Sequence, residues 1–281
     1  MTIFYLISII LGVAFQNVAQ KPYTQKTKGK GQYFFSLLVS VSAMVFFFLT
    51  SKNFAWNSGI LLYAAMFGLA YGTATVFQLY AITYGSLSLT SLIIAYSLVL
   101  PTVYGLVFLK DPFSAKFGIG VVLLVVSIFL INRKNDTTPI TMKWAICAFL
   151  AFVGNGMASV TQKMQQVAFG GAYKNEFMIL ALAFVTVLLG IFVLKQERRE
   201  IKHYAKCGGI LAVACGLVNG MVNLFVMILS GMMPVSVMFP MISAGGIIIT
   251  YIISRFFYKE KLTKMQFIGF LAGIASVIFL S

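Results

Sequence analysis

Phe67-Gly68-Leu69-Ala70-Tyr71-Gly72, running on to Phe77, has a counterpart in Cys215-Gly216-Leu217-Val218-Asn219-Gly220, running on to Phe225, at an offset of 148. Two further matches flank it in order. Val18-Ala19-Gln20-Lys21 pairs with Val160-Thr161-Gln162-Lys163 at offset 142, and Lys110-Asp111-Pro112-Phe113-Ser114 with Lys259-Glu260-Lys261-Leu262-Thr263 at offset 149. From there Gly120, Ser127 and Phe129 run alongside Gly269, Ser276 and Ile278. Chance gives any one of these matches; three in order at a nearly constant offset describe one unit written twice, as 1–135 and 136–281. Weak internal symmetry of this kind marks many transporters.

The repeated unit is a set of membrane helices. Of 281 residues, 60% are apolar and 10% charged, against about half and a quarter in a soluble domain. Apolar runs fall at 2–20, 33–50, 59–83, 88–109, 115–132, 143–162, 177–194, 207–230, 234–254 and 263–280. Most are near the ~20 residues that span a hydrocarbon core, and the runs are continuous rather than alternating, which argues against a β-barrel. The fold class expected is therefore all-α and polytopic, with ten transmembrane helices. The short loops leave no room for a soluble domain, so a secreted protein, a cytosolic enzyme and a receptor with an ectodomain are excluded. The first run has no basic residue before it and so lacks the n-region of a secretory signal; it is expected to be a permanent helix.

Five helices per copy is an odd number. The second copy then enters the membrane from the opposite side, giving an inverted repeat with a site near the midplane between the halves. Net charge is +15, from 21 Lys/Arg against six Asp/Glu. Sixteen of the Lys/Arg fall in or beside the loops after helices 1, 3, 5, 7 and 9, and five after helices 2, 4, 6 and 8. The basic side is expected to be cytoplasmic, which puts both termini outside. With the basic residues in loops and no basic face, nucleic acid is not an expected partner. Cys147, Cys207 and Cys215 lack metal-ligand spacing and read as apolar fillers. One histidine, His203, sits among Arg198, Arg199 and Lys202 and cannot build a metal site. Neither cofactor nor metal is expected.

The acidic-x-apolar-Ser/Thr step recurs as Asp111-Pro112-Phe113-Ser114 and Glu260-Lys261-Leu262-Thr263, each followed by a helix with glycines (Gly118, Gly120; Gly269, Gly273). With Pro234-Val235-Ser236 at the start of helix 9, these steps resemble the drug/metabolite transporter superfamily, of the ten-helix EamA type. The resemblance implies two five-helix inverted repeats and export or exchange of small metabolites: amino acids, sugars, nucleosides or amphipathic drugs. It also implies cytoplasmic termini, against the charge count, the basic first loop (Lys21, Lys26, Lys28, Lys30) being the source of the conflict. Small four-helix relatives use a glutamate in helix 1 for proton coupling. Here that place reads Phe15-Gln16-Asn17, so the mechanism is not carried over.

Unpartnered amides and hydroxyls cost several kcal/mol in hydrocarbon, so polar stripes face other helices or a wet cavity. Gln16, Asn17 and Gln20 make such a stripe in helix 1, and Asn155, Ser159 and Gln162 in helix 6. Tyr71, Thr75 and Gln78 align in helix 3; Asn219 and Asn223 take the equivalent places in helix 8. Ser236, Pro240 and Ser243 align in helix 9, and Ser97, Pro101 and Tyr104, with Tyr96 beside them, in helix 4. Six stripes related by the repeat predict a shared central cavity, although hydrogen-bonded helix packing is the competing use of each. Gly68-x-x-x-Gly72 and Gly216-x-x-x-Gly220 read as close-packing points. Pro101 and Pro240 are expected to kink helices 4 and 9 and to take part in gating.

The six carboxylates are Asp111, Asp136, Glu176, Glu197, Glu200 and Glu260, and no span carries one at its middle. Asp111 and Glu260 are expected in interfacial ion pairs with neighbouring lysines. Glu176 opens helix 7, where a carboxylate complements the dipole; it is also the candidate for proton coupling. Lys163 is the cationic candidate for the site, with snorkelling to the interface the favoured alternative. A cavity of amides, hydroxyls and tyrosines suits neutral or zwitterionic polar molecules with an apolar part. The expected function is secondary transport by alternating access, as a monomer or homodimer in the bacterial cytoplasmic membrane. The alternatives are a flippase for lipids or lipid-linked sugars, and a membrane-embedded lipid-modifying enzyme; the second lacks a nucleophile, an acid/base pair and a metal site.

Overall fold

The computed structural model describes residues 1–51, 54–84, 90, 93–94, 96–132, 141–257 and 264–280. Among these the secondary structure is helical, with no strand. The helices are α1 (Thr2–Lys26), α2 (Gln32–Thr50), α3 (Gly59–Tyr84), α4 (Val99–Phe108, after a 3₁₀ turn Tyr96–Leu98) and α5 (Ala115–Asn132). They continue with α6 (Met142–Ala168), α7 (Lys174–Phe192), α8 (Ile201–Leu229), α9 (Val235–Phe257) and α10 (Lys264–Leu280). Helix is what such apolar runs require, because it satisfies every backbone N–H and C=O within the segment. Thr2–Lys26, Gln32–Thr50, Gly59–Tyr84, Met142–Ala168 and the Lys174–Leu229 stretch that holds α7 and α8 are long and apolar enough to cross a membrane. Leu49, Leu69, Phe149 and Ile210 stand exposed on the outside, as lipid-facing residues do. The chain is an all-helical membrane protein.

The two halves of the chain interleave. α3 packs on α6 and α7, α8 on α1 and α2, α2 on α7, α9 on α1 and α4, α4 on α6, and α5 on α10. The paired glycine motifs set two of these crossings. A Cβ on Gly68 or Gly72 would lie 2.7 Å from Phe184 Cβ or 2.5 Å from Leu188 Cδ2 of α7. A Cβ on Gly216 or Gly220 would lie 2.5 Å from Ser42 Cβ or 2.7 Å from Phe46 Cδ1 of α2. These four glycines are packing points, as the sequence predicts, and a side chain at any of them would force a neighbour to shift.

Several elements depart from the expected runs. Of the expected helix 4 over 88–109, residues 88–89, 91–92 and 95 lie outside the described residues, and a 3₁₀ turn at 96–98 precedes α4. Pro101 is the cause, since a proline ring clashes with the carbonyl four residues back, here that of Ser97. Pro101 sits in the first turn of α4. Pro240 does lie inside α9. Helix 1 extends past residue 20 to Lys26 with Pro22 inside it. The extension is held because the Tyr23 hydroxyl donates to the Gly31 carbonyl at 2.5 Å. Gly31 has φ +70°, and a Cβ there would fall 2.4 Å from that hydroxyl. α7 ends in a π turn, Val193–Glu197, which no periodicity in the sequence announces.

Candidate functional site: a polar chamber and its two closures

A chamber of about 680 Å³ lies among α1, α3, α6, α8 and α9. Gln16, Tyr71, Gln78, Asn155, Ser159, Gln162, Asn219, Asn223 and Ser243 line it, so nine residues of the predicted stripes meet on one space. Ile9, Phe67, Val226, Phe239 and Ile242 complete the wall; the sequence offers no sign that separates these from ordinary core. A smaller chamber of about 190 Å³ shares Gln16, Tyr71, Gln78 and Asn219 and adds Gln20, Ser36 and Thr75. Among the described residues, no Asp, Glu, Lys or Arg lines either chamber.

A chain of amides crosses the larger chamber. Gln162 Nε2 donates to Asn223 Oδ1 at 2.9 Å. Asn223 Nδ2 donates to Asn219 Oδ1 at 3.0 Å and to the Asn219 carbonyl at 2.9 Å. Asn219 Nδ2 donates to Gln16 Oε1 at 2.9 Å, and Gln16 Nε2 to the Gly12 carbonyl at 3.3 Å. The chain thus ties α6 to α8 and α8 to α1. Across the chamber Asn155 Nδ2 donates to Ser97 Oγ at 2.6 Å, beside the helix break made by Pro101. Among the described residues, the Tyr71 hydroxyl, the Gln78 amide and the Ser243 hydroxyl have no hydrogen bond to protein. They face the chamber and are left for water or a ligand.

The other predicted residues are not among the described lining of the larger chamber. Only the backbone of Asn17 is described, and Glu260 and its neighbours lie outside the described residues. Gln20 reaches Gln32 Oε1 at 3.2 Å, and the Thr75 hydroxyl donates to the Tyr71 carbonyl at 2.9 Å. The Tyr96 hydroxyl turns away to the Val125 carbonyl of α5 at 3.2 Å. Lys163 does not line the chamber; half-buried, its Nζ donates to the Ser230 carbonyl at 2.5 Å, at the C-terminus of α8. Cations are favoured there because the last carbonyls have no helical partner. Asp111 Oδ2 accepts the Ser236 N–H at 3.0 Å and so caps α9.

Two buried carboxylates close the ends of the α2–α7 pair. Glu197, at the end of the π turn, accepts the N–H groups of Tyr33 and Phe34 at 3.2 and 2.7 Å, in the first turn of α2. Glu176, in the first turn of α7, accepts the Ala55 N–H at 3.1 Å, just past the end of α2. The two helices therefore run antiparallel and are latched at both ends. Glu197 lies in the turn between the α7 and α8 spans, and burial pushes its carboxyl above the usual range, the Phe34 and Tyr33 N–H groups partly opposing. Sequence reasoning passes over Glu197, because its partners are distant backbone donors that leave no side-chain signature.

The fold is shared with proteins of known structure. One, a crystal structure described only as that of a protein, superimposes with a TM-score of 0.78 at 10% identity, over 100% of this chain and 96% of that one. At that identity the likeness is one of fold alone. No family model and no curated protein matches the chain.

Proposed function

We propose that this protein is a secondary transporter of small neutral or zwitterionic metabolites in the cell membrane. It works by alternating access of two inverted five-helix repeats, 1–135 and 136–281, in the manner of the EamA-type exporters. The observation that carries the reading is the chamber: a space of about 680 Å³ inside a membrane protein, lined by amides and hydroxyls and, among the described residues, by no charged one. Such a space matches a solute that has hydrogen-bonding groups and no net charge to neutralise, since a buried ion would need a partner.

The duplication is supported contact by contact. Gly12 meets Val222 and Val218, and its counterpart at offset 142, Gly154, meets Ala74 and Ala70, which are the counterparts of those valines at offset 148. The same offsets turn Gly68 on Phe184 into Gly216 on Ser42, and Gly72 on Leu188 into Gly220 on Phe46. They also turn the Phe34–Glu197 bond into Glu176–Ala55. The carboxylate has changed sides and the contact has not. A two-fold axis in the membrane plane generates these pairs, with one latch toward each face. Opening the latches one at a time, around a fixed central chamber, gives alternating access.

The test is transport in proteoliposomes of compounds first selected by thermal shift, because a ligand of the folded state raises its melting temperature. Gln162→Ala and Asn219→Ala are expected to cut uptake at least tenfold while the protein still inserts. Full transport in both variants removes the amide chain from the site and the proposal with it.

A further inference from the structure

Beside the polar chamber lies a second space of about 210 Å³ between α4, α5 and α9. Its walls are the apolar side chains of Val99, Val103, Phe117, Val121 and Leu124, with Pro240 of α9. Two of its polar groups are already spent: the Tyr96 hydroxyl on the Val125 carbonyl, and the Thr102 hydroxyl on the Leu98 carbonyl at 2.7 Å. Water entering this pocket would gain almost no hydrogen bonds. The pocket is partly open, with Val99 and Val103 exposed, and its volume exceeds the ~150 Å³ of an apolar cavity that takes up benzene, so it has room for a larger hydrocarbon group. Leu98 and Ser243 line both this pocket and the polar chamber. The two spaces are neighbours across one wall, and Ser243 brings the unspent hydroxyl to their junction.

We infer that the apolar pocket holds the hydrocarbon end of the transported molecule while its uncharged polar head sits on the amides of the chamber. The substrate class is thereby narrowed to amphipathic molecules with an aliphatic or aromatic group of benzene size or larger. The inference rests on the transport reading above. The shared wall argues for the substrate's own tail, rather than a bilayer acyl chain, as the occupant.

The test uses n-alkylureas, whose heads donate and accept as the chamber's amides do, on the full-length protein in phosphatidylcholine nanodiscs. Burial of each methylene is expected to tighten binding about fourfold from methylurea toward hexylurea, levelling once the pocket is full. Val121→Phe fills the pocket from α5 and Val103→Phe from α4. Either is expected to erase the gain with chain length. A flat series, or a gain that survives both substitutions, overturns the inference. So does hexylurea binding that Gln162→Ala and Asn219→Ala leave intact, since the tail would then enter without the head, as a lipid chain does. If those two variants leave methylurea binding intact as well, the chamber reading itself has failed; if they weaken methylurea while the series stays flat, only the side pocket has.

Discussion

Glu197→Ala should tip the protein toward one of its two open forms, and Glu176→Ala toward the other. Glu197 accepts two backbone hydrogen bonds, at 3.2 and 2.7 Å, and Glu176 accepts one, at 3.1 Å. A typical bond contributes about 1 kcal/mol net and up to about 1.5 kcal/mol. The first variant therefore loses ~2–3 kcal/mol from its closure, a shift of roughly 30- to 150-fold in a two-state equilibrium. The second loses ~1–1.5 kcal/mol, roughly 5- to 12-fold by the same conversion. Spin labels across each end of the α2–α7 pair, read as distance distributions in nanodiscs, report both ends at once. Glu197→Ala should lengthen the distance at the Tyr33 end and sharpen the short distance at the Ala55 end. Glu176→Ala should do the reverse, more weakly. If both variants open the same end, or both loosen both ends, the latches are local struts and the alternation argued here is wrong.

Other outcomes follow from the same geometry. Gly154→Ala would drive a Cβ to 2.7 and 2.8 Å from the Ala70 carbonyl and the Ala74 nitrogen, both backbone atoms. Overpacking of that kind costs about 1–3 kcal/mol, so the α3–α6 crossing should weaken. Gly190→Ala meets nothing within 4 Å and should gain up to ~1 kcal/mol from helix propensity. Equal unfolding midpoints for the two variants would refute the packing argument. For pH, Glu197 has a folded-state carboxyl raised above its ordinary value of 4.5. The folded protein then holds the proton more tightly than the unfolded chain, so this residue's contribution is full below 4.5 and declines as pH rises through the raised value. Melting curves should show that decline in the native protein and a flatter profile in Glu197→Gln; matching slopes would remove Glu197 as the source.

Much of the chamber was legible in the sequence because of what polar groups cost in hydrocarbon. An amide in an apolar run must point somewhere wet or paired, and Gln16, Asn155, Gln162, Asn219 and Asn223 do both. The glycine pairs were legible for a similar reason, since close helix crossings demand small residues at four-residue spacing. Charged residues were harder. Lys163, Asp111 and Glu176 all turned out to serve backbone groups at or beside helix ends, and backbone donors and acceptors carry no residue identity. The break before α4 was half legible: Pro101 was visible, but the turn it forces lies one helical turn upstream at Ser97. The apolar pocket left no trace at all, because Val121 and Leu124 read in sequence like any lipid-facing or core residue.

The most direct measurement is the sidedness of thiol labelling at the chamber. Cys147, Cys207 and Cys215 would be replaced by alanine and a single cysteine placed at Ser159 or Ser243, both of which line the chamber. A membrane-impermeant reagent is then applied from either side of oriented vesicles. Labelling from each side, shifted toward one side by Glu197→Ala and toward the other by Glu176→Ala, is the predicted result. Labelling from neither side, or a bias that the latch variants fail to move, would contradict a chamber that opens to the two faces in turn.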